Sequence, residues 1–174
     1  NVSLDTLDAA KFQAITRWGK LADVMAGIDA AEKAGLAIKI NAVVVFGYNE
    51  NDLADLARLT LAHPWQVRYI EMMPFAGAPD LQLNYVVSAR EMQERIEAVL
   101  GPLESVNGGE LDGEARLFRL PGARGVLGFI STLSQPFCAS CTRARLTADG
   151  RLRLCLLREN EIDLLTAMRQ GASD

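Results

Sequence analysis

The chain has 174 residues, 22 acidic against 18 basic side chains and a net charge of −4, which suits one globular unit and excludes a general nucleic-acid binder. No apolar run is long enough to span a membrane, and no stretch reads as a secretory signal. Three cysteines are too few for a disulfide framework, so a reducing, cytoplasmic setting is expected. The chain opens on Asn-Val-Ser-Leu-Asp-Thr-Leu-Asp without an initiator Met, already strand-like, which reads as a piece of a longer protein.

In chain order, residues 2–4 form a short strand, and residues 20–35 carry apolar residues at helical spacing with Gly35 as C-cap. Residues 37–46 are β-branched and strand-like, and a polar turn at 47–52 follows. Asn51 or Asp52 is positioned to cap a helix at 53–62, which stops before His63 and Pro64. Residues 66–73 read as a strand broken by Pro74, and Ser88 with Glu91 forms a capping box for a helix at 89–100 that ends at Gly101. Three β–α units in series predict parallel strands with right-handed crossovers. From about residue 102 the pattern becomes short strands at 114–120, 125–131, 144–148 and 151–157, with one helix at 161–170. The fold class is therefore α/β: parallel β–α units over 1–101, then a mostly β extension over 102–174 that carries the cysteines.

Polar residues within the predicted strands are candidates for a site, because parallel α/β folds build sites toward strand C-termini. Ser3, Asp5, Lys39, Asn41, Arg68, Glu71 and Met73 qualify on that ground. A structural ion pair of Lys39 with Glu71 or Asp5 explains the buried lysine equally well. Arg68 and Met73 have opposite parity, so both serve one site only if the strand bends before Pro74.

The chemistry concentrates at Cys138, Cys141 and Cys155. A C-x2-C pair brings two thiolates onto one metal, as in zinc and iron–sulfur sites. Asp149-Gly150 reads as a two-residue hairpin turn, pairing Ala148 with Arg151 and setting Cys155 opposite Ala144. The hairpin then delivers the third thiolate to the other two, with Arg143 and Arg145 pointing to the opposite face. The fourth ligand is missing. Zinc would need His63, an acidic side chain or a partner's residue, whereas a four-iron cluster held by three thiolates leaves one iron open. Spacing alone supports a three-thiolate metal site beside an anion-binding arginine pair; solvated arginines on an edge strand are the plain alternative.

The stretch C-x2-C-x-R-x-R-L-T-x-D-G-x-L-x-x-C-L closely resembles the C-terminal cluster motif of the GTP 3′,8-cyclase family of molybdenum cofactor biosynthesis. Blocks at 1–8, 27–36, 39–41, 47–53 and 68–75 resemble successive blocks of the same family. The resemblance implies a lyase of the radical S-adenosylmethionine superfamily, built on half of an incomplete β/α barrel, with two [4Fe-4S] clusters. It implies that Cys138, Cys141 and Cys155 hold the cluster that faces GTP, and that Lys39, Arg143, Ala144 and Arg145 contact GTP. Ser3 and Met73 would contact S-adenosyl-L-methionine, and Arg68 would lie near the substrate. The family's N-terminal C-x3-C-x2-C loop and terminal Gly-Gly tail are absent from this sequence, so the chain is expected to be inactive alone. Its expected partners are GTP and the N-terminal remainder of the same protein, with a homodimer in the full-length form. Two rivals remain: the auxiliary-cluster region of another radical enzyme acting on a peptide, and a structural zinc module for a protein interaction.

Overall fold

A computed structural model describes residues 1–73, 85–155 and 160–171. Pro74, and residues 156–157 of the last predicted strand, lie outside them. Strands β1 (Val2–Ser3), β2 (Lys39–Val44) and β3 (Gln66–Glu71) are parallel neighbours. Strands β4 (Glu104–Ser105), β5 (Leu111–Asp112), β6 (Ala115–Arg119) and β7 (Val126–Ile130) extend the same sheet, in the order β1-β2-β3-β7-β6-β4 with β5 also on β6. Strand β7 joins β3 in parallel, and β6 turns antiparallel to it. The result is a mixed α/β sheet, mostly parallel at its centre.

Alternation sets the two faces of this sheet. In β2, Ile40, Ala42 and Val44 are fully buried, while Lys39, Asn41 and Val43 are at least partly open. Helix α1 (Ala9–Thr16) buries a single side chain, Phe12, while α2 (Leu21–Lys33), α3 (Leu53–Ala62) and α4 (Ala89–Leu100) each turn an apolar stripe to the core. Ile28, Leu56, Met92 and Ile96 from these stripes meet Ile40, Val67 and Tyr69 in the main core. The Tyr69 hydroxyl donates to the Leu53 carbonyl at 2.7 Å, which satisfies the one polar atom this ring brings into the core. A smaller apolar cluster of Ala115, Leu117 and Ile130, with Ile70, Val126 and Phe137 against it, fills around β6 and β7.

Several local expectations change. Helix α1 is additional to the sequence reading; its N-cap Asp8 accepts from Ala10 and Lys11, and only Phe12 is buried. Asp52 occupies the N-cap position of α3 but makes no side-chain cap bond there. Its carboxylate is instead taken by the Thr6 hydroxyl at 2.6 Å and the Lys11 ammonium at 2.7 Å. Ser88 caps α4 by accepting from the Glu91 amide at 3.2 Å, while the Glu91 carboxylate pairs with Arg95.

A second sheet is separate and small. Strands β8 (Arg145–Leu146), β9 (Arg151–Arg153) and β10 (Glu161–Asp163) form an antiparallel set, and helix α5 (Leu164–Arg169) follows directly. The predicted helix at 161–170 thus begins three residues late, because Glu161–Asp163 pair with β9 and Asp163 becomes the N-cap, accepting from the Thr166 amide at 2.9 Å.

Candidate functional site

The hairpin between β8 and β9 sets the site's geometry. Its loop has three residues, Ala148, Asp149 and Gly150, and not the two expected. The Thr147 amide donates to the Arg151 carbonyl at 2.9 Å, and the Arg151 amide donates to the Thr147 hydroxyl at 2.9 Å. Gly150 closes the loop in the left-handed region at φ +76°, the conformation such three-residue hairpins require. The ladder therefore pairs Arg145 with Arg153 and Leu146 with Leu152, one residue away from the predicted register. A one-residue slip reverses which side chains share a face. Carried past the last paired residues, the observed register sets Arg143, not Ala144, across from Cys155. The expected placement of the arginines on the opposite face is corrected.

One cleft collects the result. Met73, Thr132, Phe137, Cys138, Cys141, Arg143, Arg145, Leu154 and Cys155 line about 490 Å3 of empty space, the part open to solvent included. Met73 and Thr132 lie just beyond the carboxyl ends of β3 and β7, the end of a parallel sheet where ligand sites are built. The strand β3 ends at Glu71, so the chain leaves it before Met73, as the parity of Arg68 and Met73 requires. Cys138 and Cys141 are exposed thiols and Cys155 is a half-buried one. Cys138 opens a single 3-10 turn to Ser140, and the Cys141 amide returns to the Cys138 carbonyl at 3.3 Å, which keeps the two C-x2-C residues on one turn.

The electrostatics of the cleft are uneven. The Arg143 backbone amide and then its guanidinium bond to Cys141 and hold that thiol below its ordinary pKa, against opposition from desolvation and, more weakly, from Glu114. Arg143 itself is committed: its Nε lies 3.5 Å from Glu114, and its guanidinium stands 5.3 Å from the centroid of the Phe137 ring. The Arg145 side chain has no hydrogen-bond or ion-pair partner among the described residues. Arg153, directly across from it, is neutralised by Glu161, whose Oε1 accepts from Nε at 2.8 Å. The Thr132 hydroxyl oxygen is buried at the cleft and has no partner among the described residues. Among those residues, no three His, Cys, Asp or Glu side chains are arranged for a single metal ion.

Other candidates lie elsewhere. Lys39 is at the start of β2, the opposite end of the sheet, and pairs loosely with Asp112 at 3.6 Å, so neither predicted ion pair with Glu71 or Asp5 forms. Ser3 is exposed on β1 beside Asn41, and Ala144 is exposed next to β8; neither lines the cleft. Asp5 accepts from the Val43 amide at 2.8 Å, and Glu71 points into the protein, fully buried. Arg68 lies on the open face, where Nε donates to Asn41 at 2.7 Å; Gly128 leaves it room, since a Cβ there would stand 3.0 Å from the Arg68 Cγ. His63 stacks on Trp65 with ring centroids 3.9 Å apart and contacts Glu32 at 3.2 Å, before the start of β3 and away from the thiols. Sequence reasoning missed Thr132, Phe137 and Glu114. Only Phe137, the residue before Cys138, carried any local signal.

Three thiols and two arginines thus gather at one cleft beyond the carboxyl ends of β3 and β7. Residues 65–174 match the family described as Molybdenum Cofactor Synthesis C, and the chain belongs to that family. Relatives named GTP 3′,8-cyclase align along the whole sequence. That of Heliobacterium modesticaldum is 45% identical over 178 residues, covering 100% of this chain and 54% of that protein. Those of Pelotomaculum thermopropionicum and Thermodesulfovibrio yellowstonii are 43% and 44% identical, covering 99% of this chain and 53% of each. The chain spans about half the length of the curated relatives it matches.

Proposed function

We propose that the chain is the C-terminal part of a GTP 3′,8-cyclase, which converts GTP to (8S)-3′,8-cyclo-7,8-dihydroguanosine 5′-triphosphate by radical S-adenosylmethionine chemistry in molybdenum cofactor biosynthesis. In this reading residues 1–101 are the second half of an incomplete β/α barrel, and residues 102–174 supply the cluster and GTP-side region. The observation that carries it is the gathering of Cys138, Cys141, Cys155, Arg143 and Arg145 on one cleft, in a chain of this family.

The donor set suits a [4Fe-4S] cluster better than a lone ion. Three soft thiol ligands select iron–sulfur or zinc. A single zinc holds its sulfurs at about 2.3 Å in a tight tetrahedron, whereas a cube of four irons spreads its thiolates over separate corners. His63, the histidine a zinc site would recruit as fourth ligand, is held instead by Trp65 and Glu32. Cys138, Cys141 and Cys155 would hold the cluster, which would supply an iron site with a coordination position free for GTP. Around it the chain's own groups divide the work. Arg143 braces the Cys141 thiol, and Arg145 is left to take a phosphate oxygen by a charge-assisted bond. Lys39 and Ala144 are the remaining proposed GTP contacts, and Ser3 and Met73 the proposed contacts of S-adenosyl-L-methionine. Met73 is the one of these four on the cleft. The partners are GTP and the other part of the same protein, in the cytoplasm, with a homodimer as the assembled form.

Anaerobic purification with iron, sulfide and zinc quantified tests the reading. Iron and sulfide in equal amounts, at about four per chain, are expected, with loss on replacing Cys138, Cys141 or Cys155 by Ser. Stoichiometric zinc without iron would overturn it. In the full-length protein, Arg145→Ala should weaken GTP binding by about 1.5–3 kcal/mol, the scale of a hydrogen bond to a charged group. Arg90→Ala on the outside of α4 should not. Arg153 is no suitable control, since it faces Arg145 across the ladder.

A further inference from the structure

Glu71 is fully buried, and its carboxylate holds elements on which the cleft is built. It ends β3, two residues before Met73. Its Oε1 accepts from the Ala89 amide, the first residue of α4, at 2.8 Å, and from the Ser134 hydroxyl. Its Oε2 accepts from the Leu133 amide at 2.8 Å and the Ser134 amide at 3.0 Å. Among the described residues no Lys, Arg or His pairs with it. Its partners are all neutral donors, three of them backbone amides that cannot turn away, one at the positive end of a helix.

Those donors belong to segments far apart in the chain. The turn at 131–135 carries Thr132 into the cleft and leads to Phe137 and Cys138. From its other side the same turn is held by Arg116, whose Nη1 donates to the Ser131 hydroxyl at 2.9 Å and to the Gln135 carbonyl at 3.4 Å. The Ser131 hydroxyl in turn donates to the Gln135 carbonyl at 3.1 Å. Glu71 therefore fixes the start of the thiol-bearing segment against the end of the strand that delivers Met73.

We propose that Glu71 is a positioning residue, whose carboxylate sets the spacing between Met73 and the Cys138–Cys141 turn by holding the 133–134 amides. It touches neither a thiol nor the cleft and acts through the turn alone. The inference rests on the proposed cluster only for what is being positioned; the hydrogen-bond anchoring stands apart from that.

The test replaces Glu71 by Gln, which keeps the shape but points an NH2 group at donors it cannot accept from. Hydrogen exchange should quicken about tenfold or more at the Leu133 and Ser134 amides, while β2 amides keep their protection. Anaerobic reconstitution of the same variant with iron and sulfide should retain several-fold less cluster, with an altered electron paramagnetic resonance signal in what remains. Unchanged exchange and an unchanged signal would overturn the proposal, and so would loss of protection spread evenly over both sheets. Should Glu71→Gln fail to fold, Ser134→Ala removes one donor at an exposed residue. Faster exchange confined to 131–137 is then expected, and no change there overturns the proposal. If the unaltered chain binds no iron, the cluster reading fails while the exchange arm still decides the role of Glu71.

Discussion

The two sheets are held by different means. The first closes over a core in which Ile40, Val67, Tyr69, Met92 and Ile96 are fully buried, and on β2 strict alternation of buried and open residues fixes the register. Among the described residues the second has no such core. Leu146 is 67% exposed, Leu154 54% and Met168 71%, and β8 and α5 bury nothing. What holds it is local and polar: the Thr147–Arg151 bonds, the Arg153–Glu161 pair, and the Gly150 carbonyl accepting from Leu164 and Leu165 at 3.1 Å. A sheet this short, with leucines left in water, is stable only when something else covers or cross-links it. Of the three thiols on the cleft, Cys155 follows the last strand residues of this small sheet, while Cys138 and Cys141 lie on the segment that leads into it from the larger one.

The sharpest way to break that contrast is a matched pair of truncations. Ile40→Ala should cost about 2–5 kcal/mol in denaturant unfolding, the range for a large aliphatic removed from a close-packed core. Leu146→Ala should stay within about 0.5 kcal/mol, as for surface positions. Similar losses for the two would show that the second sheet has a core of its own. Next in size is the effect expected of the proposed cluster. Stripping iron from anaerobically loaded protein with a chelator should speed amide exchange over 145–153 by about tenfold and leave 40–44 unchanged, because binding stabilises only what it cross-links. Equal exchange with and without iron would mean that the hairpin organises itself.

The same contrast explains what could be read from sequence. Strand β2 was legible because Ile40, Ala42 and Val44 alternate with Lys39, Asn41 and Val43, and α3 because its apolar stripe runs between a polar turn and Pro64. The hairpin was legible as a hairpin but not in its register. Asp149-Gly150 fits a two-residue turn as well as the end of a three-residue loop, and the Thr147 hydroxyl bonding to the Arg151 amide decides between them. No alternation on a two-residue strand could have corrected the slip. Glu71 was legible as a buried polar residue, but not its face, since its donors at 133–134 lie 62 and 63 residues further on. Helix α1 escaped because a single buried side chain, Phe12, gives no period.

Within the strongly held part, single polar contacts are expected to matter less than the core. Ser88→Ala should cost about 1 kcal/mol, since the α4 N-cap loses its bond to the Glu91 amide and the Glu91 carboxylate, engaged with Arg95, does not replace it. Thermal unfolding of the variant would check this, and a loss as large as that of Ile40→Ala would show that the capped end, not the apolar stripe, holds α4.

The smallest effect concerns Asp5, where β1 leaves the sheet. Burial raises its carboxyl above the ordinary carboxylate range, and the bond from the Val43 amide only partly opposes this. A carboxyl whose pKa is higher folded than unfolded binds its proton more tightly in the native state. Its contribution to stability is therefore greatest at acid pH and declines as pH rises past 3.8 and through the raised folded value. Asn at this position keeps the oxygen that accepts from Val43 and cannot ionise. Asp5→Asn and the unaltered protein should accordingly be nearest in relative stability at low pH, with the variant gaining as pH rises toward neutrality. Parallel denaturant titrations across that range would measure it. A gap that stays constant with pH would mean that the charge at Asp5 is solvated in the folded chain, and that the edge of the first sheet is as open to water as the second.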